Sequence, residues 1–179
     1  HGVGASVVNA LSEHLEVKVR REGYEYTQTF KRGKEKSTVK KKKSKGKNGT
    51  TISFTPDPEI FGKRMRFDAE RVFKNLDDRS FVHKGVRILF VDEATGKETK
   101  FLQNKGIAAL LDRAIKLQKI ARIVDQSFAF ERDSKDGPIG RIQVVMTWTD
   151  TTDERTRSYV NGVQTPNHGT HVNGYRAAV

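Results

Sequence analysis

Cysteine is absent from the 179-residue chain, so a disulfide framework, a thiolate zinc site and a cysteine nucleophile are all excluded. A reducing cytoplasm is the expected compartment. No apolar run approaches the roughly 18 residues of a membrane-spanning helix, and residues 1–4 lack the charged and apolar regions of a signal peptide. We therefore expect no membrane segment.

An initiator methionine is also lacking. The chain begins inside a glycine motif at His1-Gly-Val-Gly4, and residues 174–179 resemble a helix that has barely begun. These ends indicate an internal fragment of a longer protein.

Positive charge is concentrated in one segment. The chain has 34 Lys and Arg against 22 Asp and Glu, a formal charge of +12. Residues 31–47 hold ten basic residues and one acid, so this segment alone carries +9. The segment has no aromatic residue and one aliphatic residue, Val39, and is predicted to be a solvated loop.

Hydropathy patterns predict an α+β fold with antiparallel pairs and helices massed on one face. Strands are expected at 15–30, with a hairpin turn at Glu22-Gly23, and at 49–57, 86–91, 98–102 and 126–131. Residues 142–148 are predicted to pair with 155–160. Helices are expected after Gly4, after Asp68 as a cap, from Asn104 to Lys119, and near the carboxyl end with Thr170 as a possible cap.

Three patterns are candidate sites. Glycines in His1-Gly-Val-Gly4 before a helix suit a phosphate, although the same pattern also forms plain turns. His168 and His171 lie three apart, but no third ligand falls at metal spacing, so a capping or packing role for His171 is favoured. The lysine-rich segment, residues 31–47, either contacts the phosphate backbone of a nucleic acid or is a solvated loop that binds nothing. The candidate DNA contacts are its four consecutive lysines, Lys40, Lys41, Lys42 and Lys43.

Several stretches together resemble the ATPase region of the bacterial DNA gyrase B and topoisomerase IV B-type subunits, members of the GHKL ATPase superfamily. Order and spacing hold over almost the whole chain. The stretches are 1–12, 18–23, Asn48-Gly-Thr-Thr-Ile-Ser-Phe-Thr-Pro-Asp57, 86–92, and 159–178 with its Gly169-Thr-His171.

The resemblance implies a role for each matching residue. His1, Gly2, Val3, Gly4 and Ala5 match the end of a lid and the helix terminus whose amides hold the ATP phosphates. Thr50 matches the floor of the adenine pocket, and Arg21 matches an arginine at the pocket mouth.

The resemblance also implies the organisation of the chain. Residues 1–117 match the carboxy-terminal part of a GHKL ATPase sandwich, in which helices cover one face of a mixed sheet. Residues 118–179 match the start of an α+β transducer domain. Asn167-His168 stands where that family usually has an acidic residue or glycine followed by glycine, which puts the local turn geometry in question.

The family's general base, magnesium-ligating Asn and adenine-reading Asp precede the matching segment, and a transducer lysine follows it. We therefore expect no catalytic residue, no metal ligand and no ATP hydrolysis in the chain alone. The function implied for the intact protein is that of a type II DNA topoisomerase subunit with ATP and Mg²⁺ as cofactors. Its expected partners are DNA, an A-type subunit and a second copy of itself. A GHKL chaperone or mismatch-repair ATPase, and a basic nucleic-acid-binding module, are the alternatives.

Overall fold

The computed structural model describes residues 3–133 and 140–179, which form two compact units. The first unit extends to Phe67 and the second runs from Asp68 to Val179. The α+β class expected from the sequence is confirmed. The boundary expected between residues 117 and 118 stays a prediction, and the turn expected at 133–138 lies almost entirely outside the described residues. Within those ranges, no helix is both long enough and apolar enough to cross a bilayer.

The first unit is a five-stranded antiparallel sheet with two short helices. The central strand β1 pairs with β2 on one side and β5 on the other, while β3 and β4 both pair with β2. The β1–β2 turn is the predicted Glu22-Gly23, where φ of 54° and 77° suits a two-residue hairpin. The elements are α1 (Gly4–Ala10), β1 (Ser12–Arg21), β2 (Tyr24–Lys31), β3 (Lys34–Glu35), β4 (Lys40–Lys43), β5 (Gly49–Pro56) and α2 (Pro58–Phe61).

The two faces of this sheet have opposite character, because successive side chains of a strand point to opposite sides. Cross-strand register assigns the residues to faces. The apolar face carries Leu15, Val17, Val19, Tyr24, Tyr26, Phe30, Thr50, Ile52 and Phe54. The polar face carries Glu16, Lys18, Arg20, Glu25, Thr27, Thr51 and Ser53.

The prediction of a loop throughout the lysine-rich segment is wrong at Lys34–Glu35, which forms β3, and at Lys40–Lys43. Lys40–Lys43 forms β4, which pairs with Tyr24–Thr27 of β2. A strand needs backbone hydrogen bonds rather than a core face, and the outer edge of β2 offers them, so four exposed lysines can extend the sheet. Lysines on an edge strand also oppose pairing with another chain.

The second unit builds its core from two helices and a hairpin. Asp68 caps α3 as predicted, its Oδ1 accepting from the Arg71 amide at 3.0 Å. Phe73 packs edge-on against Phe90 and Phe101, with centroids 5.7 and 5.1 Å away. The elements are α3 (Ala69–Val82), β6 (Ile88–Asp92), β7 (Lys97–Phe101), α4 (Ile107–Gln118), β8 (Phe128–Asp133), β9 (Arg141–Met146), β10 (Tyr159–Val160), β11 (Val163–Gln164) and α5 (Thr170–Ala178).

The pairing predicted between 142–148 and 155–160 is also wrong. β9 pairs with β8, and β10 pairs with β11. The turn between β10 and β11 is Asn161-Gly162, with φ of 50° and 77°. Asn-Gly is the most favourable two-residue hairpin turn, so it closes a local pair in preference to a longer connection.

Candidate functional site

Thr50 and Arg21 lie on the same face of the first unit's sheet. Thr50 is opposite Val19, and Arg21 is two residues further along β1. Diagonal neighbours of this kind are about 7 to 8 Å apart. Both side chains are exposed, so the register brings together two residues separated by 29 positions in the sequence.

Apolar surface next to Thr50 is incompletely covered. Ile52 and Phe54 follow Thr50 on the apolar face and are 53% and 42% exposed, whereas Leu15, opposite Phe54, is only 4% exposed. A planar apolar group can therefore contact Ile52 while the Thr50 hydroxyl supplies a hydrogen bond. Such a combination of apolar surface and few polar groups is typical of small-molecule sites.

Arg21 is held at the hairpin end of the apolar face. Its Nε donates to Glu22 Oε1 at 2.9 Å, and both side chains are almost three-quarters exposed. An ion pair this exposed contributes little stability, so Arg21 can exchange Glu22 for another anion at small cost.

The amino end of α1 presents backbone donors that make no hydrogen bond within the helix. Its N-cap is Val3, no side chain caps it, and the first intrahelical bond runs from the Val7 amide to the Val3 carbonyl at 2.9 Å. The amides of Gly4, Ala5 and Ser6 therefore have no partner within the helix. A Cβ added at Gly4 would meet nothing within 4 Å, so the space there is open. Amides at a helix end attract anions such as phosphate.

The predicted site is only partly assembled by the described residues. His1 and Gly2 lie outside them. α1 precedes the Ser12 end of β1, and Arg21 lies at the other end of this ten-residue strand, about 30 Å from Ser12. Among residues 3–133 and 140–179, no hydrogen bond joins Val3, Gly4 or Ala5 to Thr50 or Arg21.

The four lysines of β4 have different surroundings. Lys41 Nζ lies 3.9 Å from the Tyr24 ring centroid and 5.6 Å from that of Tyr26, on the apolar face. Lys42 Nζ lies 2.9 Å from Glu25 Oε1 on the polar face. The sequence did not single out these aromatic and acidic partners, because their proximity depends on the β2–β4 register.

The acidic partner, Glu25, has a strongly lowered pKa. Glu25 is only 6% exposed, and its carboxylate also accepts from Arg20 Nε at 2.8 Å. Hydrogen bonds from Lys42 and then Arg20 lower the pKa of Glu25 from 4.5 to about 2. The carboxylate is thus charged at neutral pH and holds β1, β2 and β4 together on the polar face.

The two histidines near the carboxyl end take part in a hydroxyl cluster. Ser158 Oγ lies 2.6 Å from Thr165 Oγ1 and 3.4 Å from His168 Nδ1, and His171 Nε2 lies 3.5 Å from Thr165 Oγ1. The described residues contain no group of three side chains able to hold a metal. His168 has a φ of 60°, a conformation that glycine adopts more readily.

Thr170 is not the helix cap predicted from the sequence. Gly169 occupies the N-cap position of α5, no side chain caps this helix, and Thr170 is its first residue. The extended backbone of Gly169 leads directly into the helix, so Thr170 is one position too late to cap it.

Comparisons with known proteins agree along the chain. The family model for DNA gyrase B matches residues 90–179, half of the chain. This chain belongs to the DNA gyrase B family. It is 37% identical to the B-type subunit of DNA topoisomerase 4 from Caulobacter vibrioides and 33% identical to the B-type subunit of DNA gyrase from Streptococcus pyogenes. Both alignments cover all of this chain but only 27% of the relative.

Solved structures of gyrase B-type proteins share the fold. The 43K ATPase domain of Thermus thermophilus gyrase B, crystallised with an aminocoumarin, superposes with a TM-score of 0.81 and 32% identity, covering 99% of this chain and 47% of that one. The topoisomerase IV ATP-binding domain of Francisella tularensis, in complex with a small-molecule inhibitor, gives 0.77 and 26%, covering 97% and 45%. The GHKL-type architecture expected from the resemblance is thereby confirmed.

Proposed function

We propose that this chain forms part of the ATP-binding region of the B-type subunit of a type II DNA topoisomerase. The observation that carries the proposal is the placement of Thr50 and Arg21 on one face, beside the half-exposed Ile52. Family membership supports the proposal, because similar domains of gyrase B and topoisomerase IV are an ATPase domain and an ATP-binding domain.

Each proposed contact has a physical basis in this chain. The amides of Gly4 and Ala5 at the uncapped end of α1 suit phosphate oxygens. The Thr50 hydroxyl suits a hydrogen bond to the base or to a water beside it, and Ile52 offers apolar surface. Arg21 supplies a cation at the mouth of the pocket. In their chemistry these groups match the phosphates and the base of a nucleoside triphosphate.

Magnesium has no fitting ligand set in the part of the chain that is described. No three acidic or histidine side chains converge there. No ligand for the ion that accompanies ATP is therefore proposed among residues 3–133 and 140–179. That the 179 residues alone do not hydrolyse ATP stays a prediction.

At the level of the whole subunit, ATP binding would close a dimeric gate around DNA and hydrolysis would reset it during strand passage. The A-type subunit, a second copy of the B-type subunit and DNA are the corresponding partners, and the cytoplasm is the compartment. Residues 118–179 would begin the transducer that couples nucleotide state to the DNA gate. Relatives of both the gyrase and topoisomerase IV kinds align over the full chain, so the proposal covers either enzyme.

Thr50→Val in the intact subunit tests the nucleotide site. Removing the hydroxyl leaves its partner unpaired, which should weaken ATP binding by about 1 to 3 kcal/mol, or roughly 5- to 150-fold. Isothermal titration calorimetry with a non-hydrolysable ATP analogue measures the change.

Thr51→Val is the matched control, because Thr51 is also exposed on β5 but lies on the polar face. Its affinity for the analogue should stay within about twofold of the parent protein. Equal losses in both variants, or no loss for Thr50→Val, would contradict the assignment of the apolar face to the nucleotide.

A further inference from the structure

The lysine strand β4 lies at an edge of the first unit's sheet. It pairs with β2 on one side, and no other described strand pairs with it. All four of its lysines are exposed. The register directs Lys41 and Lys43 to the apolar face and Lys40 and Lys42 to the polar face, so the strand presents positive charge on both sides.

Only some of the lysines of β4 are neutralised by ion pairs with acidic residues. Lys42 pairs with Glu25, whose carboxylate is shared with Arg20. Lys40 and Lys43 form no ion pair with any residue that the structure describes. The single acid between residues 31 and 47 is Glu35. Arg32 is also paired, with Asp57 and Glu59, but most of the +9 on this segment remains available to an external anion.

A cleft adjoins the end of β4. It has a volume of about 460 Å³ and is lined by Glu22, Gly23, Tyr24, Lys43, Ser44 and Lys45. Its only carboxylate, Glu22, is already bound by Arg21 at 2.9 Å. The cleft is thus lined by two lysines and a serine, residue types that suit an anionic group.

We propose that β4 and this cleft bind the phosphate backbone of duplex DNA, with Lys43 and Lys45 as the principal contacts. A strand of lysines suits a long polyanion, and contacts of this kind carry no sequence preference. The only aromatic ring in the cleft, Tyr24, already has Lys41 over it at 3.9 Å, so it is poorly placed to stack on unpaired bases. A duplex carries its phosphates on the outside, so it can bind the lysines without any stacking contact.

The choice of DNA over another polyanion rests on the proposed function, since a type II topoisomerase acts on duplex DNA. The location of the contact rests on β4 and the cleft alone. DNA binding is therefore measured without nucleotide, so that failure of the DNA contact and failure of the ATP site give different results.

The test is a Lys43→Gln/Lys45→Gln double variant of the 179-residue chain, titrated against a fluorescein-labelled 30-base-pair duplex of mixed sequence from 50 to 200 mM NaCl. The plot of log association constant against log salt concentration has a negative slope. Loss of two phosphate contacts should make this slope shallower by about 2 and weaken binding roughly tenfold at 50 mM. Circular dichroism and thermal unfolding check that the variant stays folded.

Lys100→Gln/Lys105→Gln is the matched control, since both lysines are exposed and the change in net charge is identical. This control should keep the parent slope, and Thr50→Val should keep the parent DNA affinity. Equal losses in the two double variants would show that only net charge matters and would overturn the proposal. Tighter binding to a 30-nucleotide single strand than to the duplex would overturn it as well.

Discussion

The two faces of the five-stranded sheet differ in how their side chains are stabilised: by ion pairs on one face and by burial on the other. On the polar face, opposite charges pair within the sheet: Lys18 with Glu16 at 2.7 Å, and Glu25 with both Arg20 and Lys42. On the apolar face, Leu15 is buried while Ile52 and Phe54 remain about half exposed. Charged side chains of β1 and β2 on the polar face are thus mostly paired within the sheet, whereas the apolar face has surface left to bind a ligand or a further part of the protein.

The largest effect should come from the buried end of the apolar face. Leu15→Ala removes a side chain that is 4% exposed and should lower the free energy of unfolding by about 2 to 5 kcal/mol. Urea unfolding followed by circular dichroism measures this loss. Glu16→Gln, the next residue on the opposite face, should cost less than about 1 kcal/mol. Similar losses in the two variants would mean that the faces do not differ in burial.

Next in size is the Thr50→Val effect on nucleotide affinity. Thr50 and Thr51 are the same residue type on opposite faces. A loss of nucleotide affinity in Thr50→Val but not in Thr51→Val therefore shows that the faces differ in ligand binding and not only in stability.

Acid should selectively weaken the polar face. The pKa of Glu25 is lowered from 4.5 to about 2 in the folded chain, so its stabilising contribution is complete above about pH 4.5 and is lost as the pH falls towards 2. Glu25→Gln should therefore flatten the decline of stability between pH 5 and 2, measured by urea unfolding at several pH values.

Glu35→Gln serves as the control for Glu25, since Glu35 lies exposed on the short strand β3. This variant should keep the steeper decline of the parent. A decline of unchanged steepness in Glu25→Gln would show that the ion pairs with Lys42 and Arg20 do not govern acid stability.

The smallest effect concerns Lys41. An exposed cation over an aromatic ring contributes about 0.5 to 1 kcal/mol, so Lys41→Gln should destabilise the chain by that amount relative to Lys40→Gln on the opposite face. Thermal unfolding of the two variants under identical conditions compares them. A greater loss for Lys40→Gln would reverse the assignment of the strand's faces.

Local patterns predicted much of the fold correctly. Alternation of apolar residues identified β1, β2 and β5, and the Glu22-Gly23 turn and the Asp68 cap were also correct. These features depend on neighbours in the sequence. The predictions failed where distant segments compete for one partner: Lys40–Lys43 joined the outer edge of β2, and β9 paired with β8 rather than with 155–160.

The candidate site shows the same division. The resemblance predicted a nucleotide-binding role for Gly4, Thr50 and Arg21, which stays a prediction. It did not indicate the face that Thr50 and Arg21 share, nor the partners Glu25, Tyr24 and Tyr26 of the lysines. Periodicity assigns alternate residues to a face without saying which strands lie side by side.

By itself, the amino-acid sequence determined the charge concentration, the strand periods, the hairpin turn and the family of this chain, since each is written in neighbouring residues or in ordered motifs. Only the tertiary structure decided which lysines are neutralised, which face stays open and where the cleft beside β4 lies. The physical reason is register: a shift of one residue in strand pairing moves every side chain to the opposite face.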